Sequence, residues 1–274
     1  MTQPPTYSLG HSEKELNRLR VQAGFIGPIT RRFFVEAGIA PGMRVLDIGS
    51  GAGDVAFLTA ELVGPQGEVV GTDRSSTALA TARERASALS LSNVAFFEGD
   101  PAEMTFERPF DAIAGRYVLM FQADPTAMLR DLLPHLKPGG VVVFHEPYRG
   151  GLRSYPPVAE FDRAWELTDE TFRRSGADTH MGIKLHKTFV DAGLPAPAMR
   201  MECVIAGGAN SSDQIHFEMD AAESLAPEMQ RLGIDTSGDG DFATLHDRVL
   251  AEATRTDSVI VGRADVGAWS RLAG

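Results

Sequence analysis

The sequence predicts an α/β fold with a mainly parallel sheet, and three observations favour it. Short apolar segments alternate with helical patterns between Met43 and Phe144, as in strand–helix–strand units. A glycine-rich turn, VLDIGSGAGD, follows the first apolar segment, and such turns bring a helix N-terminus close to a ligand. The chain has 274 residues, of which 43% are hydrophobic, enough for one elaborated domain.

A helical cover is predicted over residues 1–42. Ser12 and Glu15 form a capping-box pattern, which predicts a first helix over residues 12–23. The stretch Gly24-Phe25-Ile26-Gly27 predicts a break. Pro28 then fits the first position of a second helix, where a missing N–H costs no hydrogen bond.

The sheet-forming core is predicted over residues 43–146. Apolar runs predict strands at 43–48, 68–72, 94–97, 110–117 and 141–144, and the intervening patterns predict helices at 54–63, 76–89 and 124–136. Strands that are separated by helices pair in parallel, so their carboxyl ends meet at one edge of the sheet.

The pattern changes after Glu146, where a substrate lid is predicted over residues 147–195. Phe161, Trp165, Thr168 and Phe172 follow the i, i+4, i+7, i+11 spacing of one helix face, and a second helix is predicted near 180–192. Residues 196–274 are predicted to complete the same domain, with strands at 199–206 and 258–262 and helices at 212–232 and 242–254.

Composition limits the classes of partner and of site. A net charge of −11 repels a phosphate backbone, so nucleic acid is not expected as a partner. The single cysteine, Cys203, excludes an internal disulfide and a cysteine-based metal site, and no metal is expected. No segment approaches a membrane span or a secretory leader, so a cytoplasmic location is expected. A homodimer stays open.

The ligand of the glycine turn is indicated by Asp47. Read from Gly51, GAGDVA matches the dinucleotide pattern G-x-G-x-x-A, a weak signal alone. A carboxylate at the end of the first strand repels a pyrophosphate and favours an ammonium group. Asp73, at the end of the next strand, is placed to accept hydrogen bonds from a ribose diol, and Asp100, after the third strand, from an exocyclic amine. A nucleoside with a cationic amino-acid end matches S-adenosylmethionine.

Five motifs occur in order: the DxGxGxG pattern at residues 47–53, Gly71-Thr72-Asp73, Glu98-Gly99-Asp100, Phe110-Asp111-Ala112-Ile113 and Leu136-Lys137-Pro138-Gly139-Gly140. On these motifs the sequence resembles the class I S-adenosylmethionine-dependent methyltransferases, of the small-molecule type that includes ubiquinone/menaquinone methyltransferases and secondary-metabolite relatives. The resemblance implies a Rossmann-like sheet of seven strands in the order 3-2-1-4-5-7-6, with the last strand antiparallel. It is strongest between Met43 and Phe144.

The resemblance also implies cofactor-binding residues, with S-adenosylhomocysteine as the product. Tyr7 and Gln22 belong to the N-terminal segment, which folds over the cofactor in such enzymes. Arg116 stands where a small or apolar residue is more common. The complete implied set is Tyr7, Gln22, Asp47, Gly49, Ser50, Gly51, Gly53, Asp73, Arg74, Gly99, Asp100, Pro101, Gly115 and Arg116.

Candidate catalytic residues are His145 and Glu146, at the carboxyl end of the fifth strand, together with His11 and His186. Neighbours on a strand point to opposite faces, so one of His145 and Glu146 is expected to face the pocket. A base helps to ionise a phenol, whereas Glu146 alternatively caps the lid connection.

Phe25, Phe161 and Trp165 are candidates for contact with an aromatic or apolar acceptor, with ordinary core packing as the alternative. The predicted function is methyl transfer to O, C or N of a small metabolite. Two alternatives stay open: a methyltransferase-fold protein that binds or rearranges a ligand without transfer, and an NAD-dependent oxidoreductase.

Overall fold

A computed structural model describes residues 13–151 and 153–273, and for residues 13–24 it describes the helical backbone alone. In these ranges the strands are β1 Arg44–Ile48, β2 Glu68–Asp73, β3 Val94–Glu98, β4 Phe110–Arg116, β5 Leu136–Tyr148, β6 Ser154–Tyr155, β7 Ala198–Gly207 and β8 Val259–Arg271. The helices are α1 Glu13–Ala37, α2 Asp54–Val63, α3 Ser76–Ala88, α4 Pro125–Leu132, α5 Ala159–Arg174, α6 Met181–Asp191, α7 Ser212–Arg231 and α8 Leu245–Thr256.

All the described strands join one sheet in the order β3-β2-β1-β4-β5-β8-β6, and β7 also pairs with β8. Strands β1 to β5 run parallel, whereas β8 is antiparallel to β5 and to β7. With β7 and β8 as the sixth and seventh strands, the predicted order is confirmed. The two-residue strand β6 is additional, and it is too short to leave a sequence pattern.

The sheet has an apolar core on each face. Leu46, Ile113 and Phe144 contribute to the core on the side of α4 and α6. Val45, Ala112 and Val143 contribute to the core shared with α1, α2 and α3. Because successive residues of a strand alternate between faces, Asp47 and His145 point to the α1 side and Glu146 to the opposite side.

The N-terminal prediction of two helices is wrong, because α1 continues from Glu13 to Ala37 with Pro28 inside it. Pro28 is exposed, while Ile29, Phe33 and Phe34 on the same helix are buried against the sheet. Burial of these large side chains offsets the single backbone hydrogen bond that a proline removes from a helix.

The last strand is much longer than the predicted segment 258–262, since β8 extends to Arg271. Its charged residues and glycines hide the strand pattern, but pairing with both β5 and β7 satisfies its backbone. Gly267 is required for packing, because a Cβ there would lie 2.4 Å from the ring of Phe33.

A second helical layer lies beyond the sheet. Buried side chains of α5, α7 and α8, among them Phe161, Trp165, Ile215 and Val249, share one apolar cluster. By contrast, α6 contributes Leu185 and Phe189 to the core of the sheet itself. Within the predicted lid segment, α5 therefore joins the outer layer and α6 covers the sheet. No described helix combines the length and apolarity that a membrane span needs.

Candidate active site

The turn between β1 and α2 has three glycines in the left-handed region of backbone conformation. Gly49, Gly51 and Gly53 have φ values of 62°, 53° and 93°. A Cβ at Gly49 would lie 2.8 Å from Cγ2 of Val118, and one at Gly53 would lie 2.6 Å from the ring of Phe57. A Cβ at Gly51 would meet open space. The turn therefore leaves its backbone accessible at its centre, beside the N-terminus of α2.

Asp47 is the most unusual group at this edge of the sheet. Its side chain is completely buried, and neither carboxylate oxygen has a hydrogen-bond partner among the described residues. Burial raises its pKa well above the ordinary range, while the charge of Arg116 opposes this rise. An ammonium group placed here would donate to both oxygens and stabilise the ionised form. The donor set thus fits the methionine end of S-adenosylmethionine.

The ends of β2 and β3 supply further acceptors. Asp73 accepts hydrogen bonds from the backbone N–H groups of Gly51 at 2.9 Å and Ser75 at 2.8 Å. Asp100 accepts from the N–H of Ala102 at 3.0 Å, and Arg74 donates to its other oxygen at 2.5 Å. Because a carboxylate has about four acceptor positions, Asp73 and Asp100 keep capacity for a ribose and an amine.

Four more of the predicted cofactor residues, Ser50, Gly99, Pro101 and Gly115, occupy the same edge. Ser50 is buried and its hydroxyl oxygen has no partner among the described residues. Gly99 has a φ of 135° and Pro101 begins a short 3-10 helix that Asp100 caps. A Cβ at Gly115 would lie 2.6 Å from the ring of Phe144, so only glycine fits there.

Four polar residues cross the sheet beneath α1, and we call them the polar row: Asp47 on β1, Arg116 on β4, His145 on β5 and Asp265 on β8. The register pairs Asp47 with Ala114 and Arg116 with His145, so these side chains share one face. On the same face Asp265 lies two residues from Gly267, the partner of His145. The row places the carboxyl groups of Asp47 and Asp265 at its two ends, with Arg116 and His145 between them, beside the glycine turn.

His145 is fully buried, and both ring nitrogens face protein groups. Its Nδ1 lies 3.1 Å from Oγ1 of Thr30, and its Nε2 lies 3.0 Å from Oδ1 of Asp265. Arg116 donates to the same Thr30 oxygen at 3.2 Å. Burial lowers the pKa of His145, although Asp265 opposes this, so the ring is neutral at pH 7. The ring is enclosed by Thr30 and Asp265, although the contact of Nε2 with Asp265 is a close approach and does not have the geometry of a hydrogen bond.

Glu146 points to the other face of the sheet and is also fully buried. Its Oε1 accepts from the N–H groups of Val118 at 2.9 Å and Leu119 at 2.8 Å, and its Oε2 from Met120 at 3.2 Å. Burial raises its pKa to about 8, while the three N–H donors lower it. Glu146 therefore holds the loop whose Val118 contacts the glycine turn.

Tyr117, in that loop, has a φ of 56°, an uncommon conformation for a residue other than glycine. Its hydroxyl donates to Asp265, and its ring makes an edge contact with His145 at 5.1 Å. Burial raises the pKa of Tyr117, whereas His145 and Arg263 hold the pKa of Asp265 below its usual range despite burial. Backbone strain at a sheet edge where ligands gather is typical of functional sites.

An aromatic wall borders the polar row. The guanidinium of Arg263 lies 5.1 Å from the ring of Tyr117 and 4.6 Å from that of Phe217 on α7. Phe25 of α1 stacks on Phe217 with ring centroids 4.9 Å apart. Phe25 is therefore the one of the three predicted acceptor contacts that lies beside the polar row, where it is partly buried.

The other predicted residues lie elsewhere or outside the described residues. Phe161 and Trp165 are fully buried in the outer helical layer, where Trp165 donates to the carbonyl of Arg149 at 3.2 Å. His186 is exposed on α6. Tyr7 and His11 lie outside the described residues, as does the side chain of Gln22.

The sequence interpretation missed Thr30, Tyr117, Arg263 and Asp265. Arg263 and Asp265 are two residues apart, the spacing that places side chains on one face of a strand, and this was the available signal. The predicted strand, 258–262, ended before them. Nothing in the local pattern of Thr30 or Tyr117 indicates that distant segments meet there.

Comparison with known proteins agrees with this geometry. A family profile described as "Methyltransferase domain" matches residues 39–193. The chain is 34% identical over 187 residues to a 2-phytyl-1,4-naphtoquinone methyltransferase of Synechococcus elongatus, covering 66% of this chain and 76% of the relative. It is 33% identical over 127 residues to a demethylmenaquinone methyltransferase of Lactococcus lactis, covering 46% of this chain and 48% of that relative.

A solved structure shares the fold. Phosphoethanolamine N-methyltransferase 2 of Haemonchus contortus, in complex with phosphomonomethylethanolamine and S-adenosylhomocysteine, superposes with a TM-score of 0.53 at 19% identity. The match covers 86% of this chain and 50% of that one.

Proposed function

The chain belongs to the class I S-adenosylmethionine-dependent methyltransferases, and we propose that it methylates a carbon, oxygen or nitrogen atom of a small aromatic metabolite. Methyl transfer to a small apolar metabolite is supported by the matching family profile and by the quinone methyltransferase relatives. The aromatic character rests on the wall of Phe25, Phe217 and Tyr117 and on the naphtoquinone named for one relative.

The observation that carries the proposal is the unpartnered, buried carboxylate of Asp47 beside the glycine turn. Asp47 would bind the ammonium of the methyl donor, Asp73 its ribose and Asp100 its base. Gly51 would allow close approach of the backbone. When bound, the donor supplies a sulfonium methyl group that is open to attack by a nucleophile.

The protein's contribution to the reaction is positioning and exclusion of water. Glu146 fixes residues 118–120 against the glycine turn, and His145 fixes Thr30 of α1 above the polar row. We therefore propose positioning roles for His145 and Glu146. The aromatic wall would hold the acceptor ring at the carboxyl edge of the sheet, where ligands gather in open α/β folds.

Calorimetry with S-adenosylhomocysteine tests the proposed donor site. We expect wild-type protein to bind with a roughly micromolar Kd, and Asp73→Ala to weaken binding by about tenfold or more, because a charge-assisted hydrogen bond is lost. Asp247→Ala is the control, since that aspartate is 86% exposed on α8. Absence of binding to the intact wild type would overturn the proposal.

The two alternatives predict different ligands or products. An NAD-dependent oxidoreductase would enhance NADH fluorescence, which we do not expect. A protein without transfer activity would bind S-adenosylhomocysteine. Given S-adenosylmethionine with a labelled methyl group and a demethylated naphthoquinone reduced to its hydroquinone, which is the nucleophilic form, it would leave the label on the donor. A homodimer, measured by light scattering, is a further proposal, which the exposed Met201 and Ile205 on β7 support.

A further inference from the structure

Arg263 carries two hydrogen-bond donors that the fold leaves unused. Its Nε and Nη2 atoms are buried and have no partner among the described residues. The nearest recorded carboxylate oxygen, Oδ1 of Asp265, lies 3.8 Å from Nε, too far for a hydrogen bond. Buried N–H groups without a partner are costly. The two atoms lie on the same edge of the guanidinium, the edge that matches an oxyanion.

The surroundings of this edge suit a flat ring. Tyr117 and Phe217 lie against the guanidinium, and Phe25 extends the aromatic surface. Tyr117 precedes Val118, which contacts the glycine turn. An aromatic ligand held by Arg263 therefore lies beside the proposed donor site.

The charges around Arg263 come from four elements. Glu218 on α7 and Asp265 on β8 are negative, Arg149 after β5 is positive, and Tyr117 is a neutral phenol. Arg116 and the neutral His145 complete the neighbourhood through the polar row. Glu146 accepts three backbone N–H groups, and His145 lies against Thr30 and Asp265. Oε2 of Glu218 is buried without a hydrogen-bond partner among the described residues, so Glu218 is the base beside Arg263 that keeps acceptor capacity.

We propose that Arg263 is the specificity-determining residue for the acceptor, which it binds through Nε–H and Nη2–H as an oxyanion attached to an aromatic ring. This inference rests on the proposed function. The bound oxyanion removes the need for a general base, because the acceptor enters already ionised. Since both donors are shielded from solvent, the acceptor reaches them when the contact between Phe25 and Phe217 opens.

The test uses ring oxyanions and matched neutral compounds on protein saturated with S-adenosylhomocysteine. The probes are 4-nitrophenolate against 4-nitroanisole, and 2-naphthoate against 2-naphthamide, which separate a phenolate from a ring carboxylate. We expect the wild type to bind at least one anion about tenfold more tightly than its neutral partner, as a charge-assisted hydrogen bond implies. Arg263→Gln should abolish that preference and leave the affinity for the neutral probes within about twofold.

Arg271→Gln, at the opposite end of β8, is the matched control and should keep the wild-type preference. Calorimetry with S-adenosylhomocysteine shows that each variant is folded and that the donor site is intact. A wild type that binds S-adenosylhomocysteine without preferring either anion overturns the role of Arg263 and leaves the proposed function standing. The same holds if Arg263→Gln keeps the preference. Loss of S-adenosylhomocysteine binding in the wild type contradicts the proposed function itself.

Discussion

At the scale of single residues, the buried carboxyl of Asp47 lowers the stability of the ligand-free protein and provides the proposed site for the ammonium group of the methyl donor. Its pKa in the folded protein is raised by burial, so its contribution to stability is full below the unfolded pKa and is lost as pH rises toward the folded one. We expect Asp47→Asn to increase the free energy of unfolding at pH 7 by about 1 kcal/mol or more, with little difference near pH 4. The variant should bind S-adenosylhomocysteine about tenfold more weakly.

Chemical denaturation without ligand and calorimetry with S-adenosylhomocysteine measure the two effects separately. Asp247→Asn, at an exposed position, should change neither quantity appreciably. A variant that is less stable than wild type at pH 7, or that keeps full affinity, would contradict the role given to Asp47.

Glu146 gives a second pH-dependent prediction. Its folded pKa of about 8 exceeds the ordinary value of 4.5, so the wild type loses stability relative to Glu146→Gln as pH rises between these values. The slope should be on the order of 1.4 kcal/mol per pH unit. Denaturation curves at pH 5, 6.5 and 8 measure it, with the exposed Glu107→Gln as control. A difference in stability that does not depend on pH would mean that Glu146 is ionised throughout.

The same residues show what local sequence can predict about a site. The roles proposed for Asp47 and the glycines follow from a carboxylate and a turn within ten residues of each other. The partners of His145, in contrast, are separated from it by more than 100 residues. The packing of α1 and β8 on β5 decides whether that imidazole meets a ligand or Thr30 and Asp265, and no spacing in the chain records it.

At the scale of elements, α1 is where packing overrides a sequence signal. Pro28 lacks the N–H that would bond to the preceding turn, yet the helix continues through it. We expect Pro28→Ala to increase the free energy of unfolding by about 1–2 kcal/mol, because the restored hydrogen bond outweighs the greater freedom of the unfolded chain. Thermal and denaturant unfolding measure the change.

Pro41→Ala is the matched control, since Pro41 lies in the turn before β1 rather than in a helix. It should be neutral or slightly destabilising. If Pro28→Ala destabilises the protein as well, the proline fixes a bend in α1 that the cover requires.

Element prediction succeeds where composition and local geometry agree. The helix α2 has the predicted bounds, because a glycine precedes it and Gly64 ends it. The failures at β5 and β8 have one cause: both strands are longer than their apolar segments. Their additional residues, including His145, Glu146, Arg263 and Asp265, are polar and are held in the strands by pairing with neighbours. These extensions carry much of the candidate site.

At the scale of the whole molecule, charge is distributed unevenly. The chain carries a net charge of −11, yet Arg116, Arg149 and Arg263 lie within the fold near the carboxyl edge of the sheet. The acidic exterior repels an anion at long range, and salt at about 0.1 M screens this repulsion at distances beyond about 10 Å. A buried arginine attracts it at short range, where screening is weak. We therefore expect added salt to raise the association rate of an anionic acceptor and to change its dissociation rate less.

Hydrogen–deuterium exchange should show which parts of the molecule move together when the donor site is occupied. With S-adenosylhomocysteine at about 100 times its Kd, openings that break the site cost about 2.7 kcal/mol more, so amides that exchange through them slow by about 100-fold. We expect this slowing at residues 49–53 of the glycine turn, in the loop at 118–121 and along α1, which contacts the polar row through Thr30.

The helix α8 provides the internal control, because its buried residues Leu245, Val249 and Ala253 pack in the outer helical layer. Its exchange should not respond to the ligand, and Asp47→Asn should reduce the slowing at the other three segments under the same ligand concentration. If exchange in α1 is unchanged while the glycine turn is protected, then α1 opens independently of the donor site. In that case the contact between Phe25 and Phe217 would open and close in response to the acceptor and not to the methyl donor.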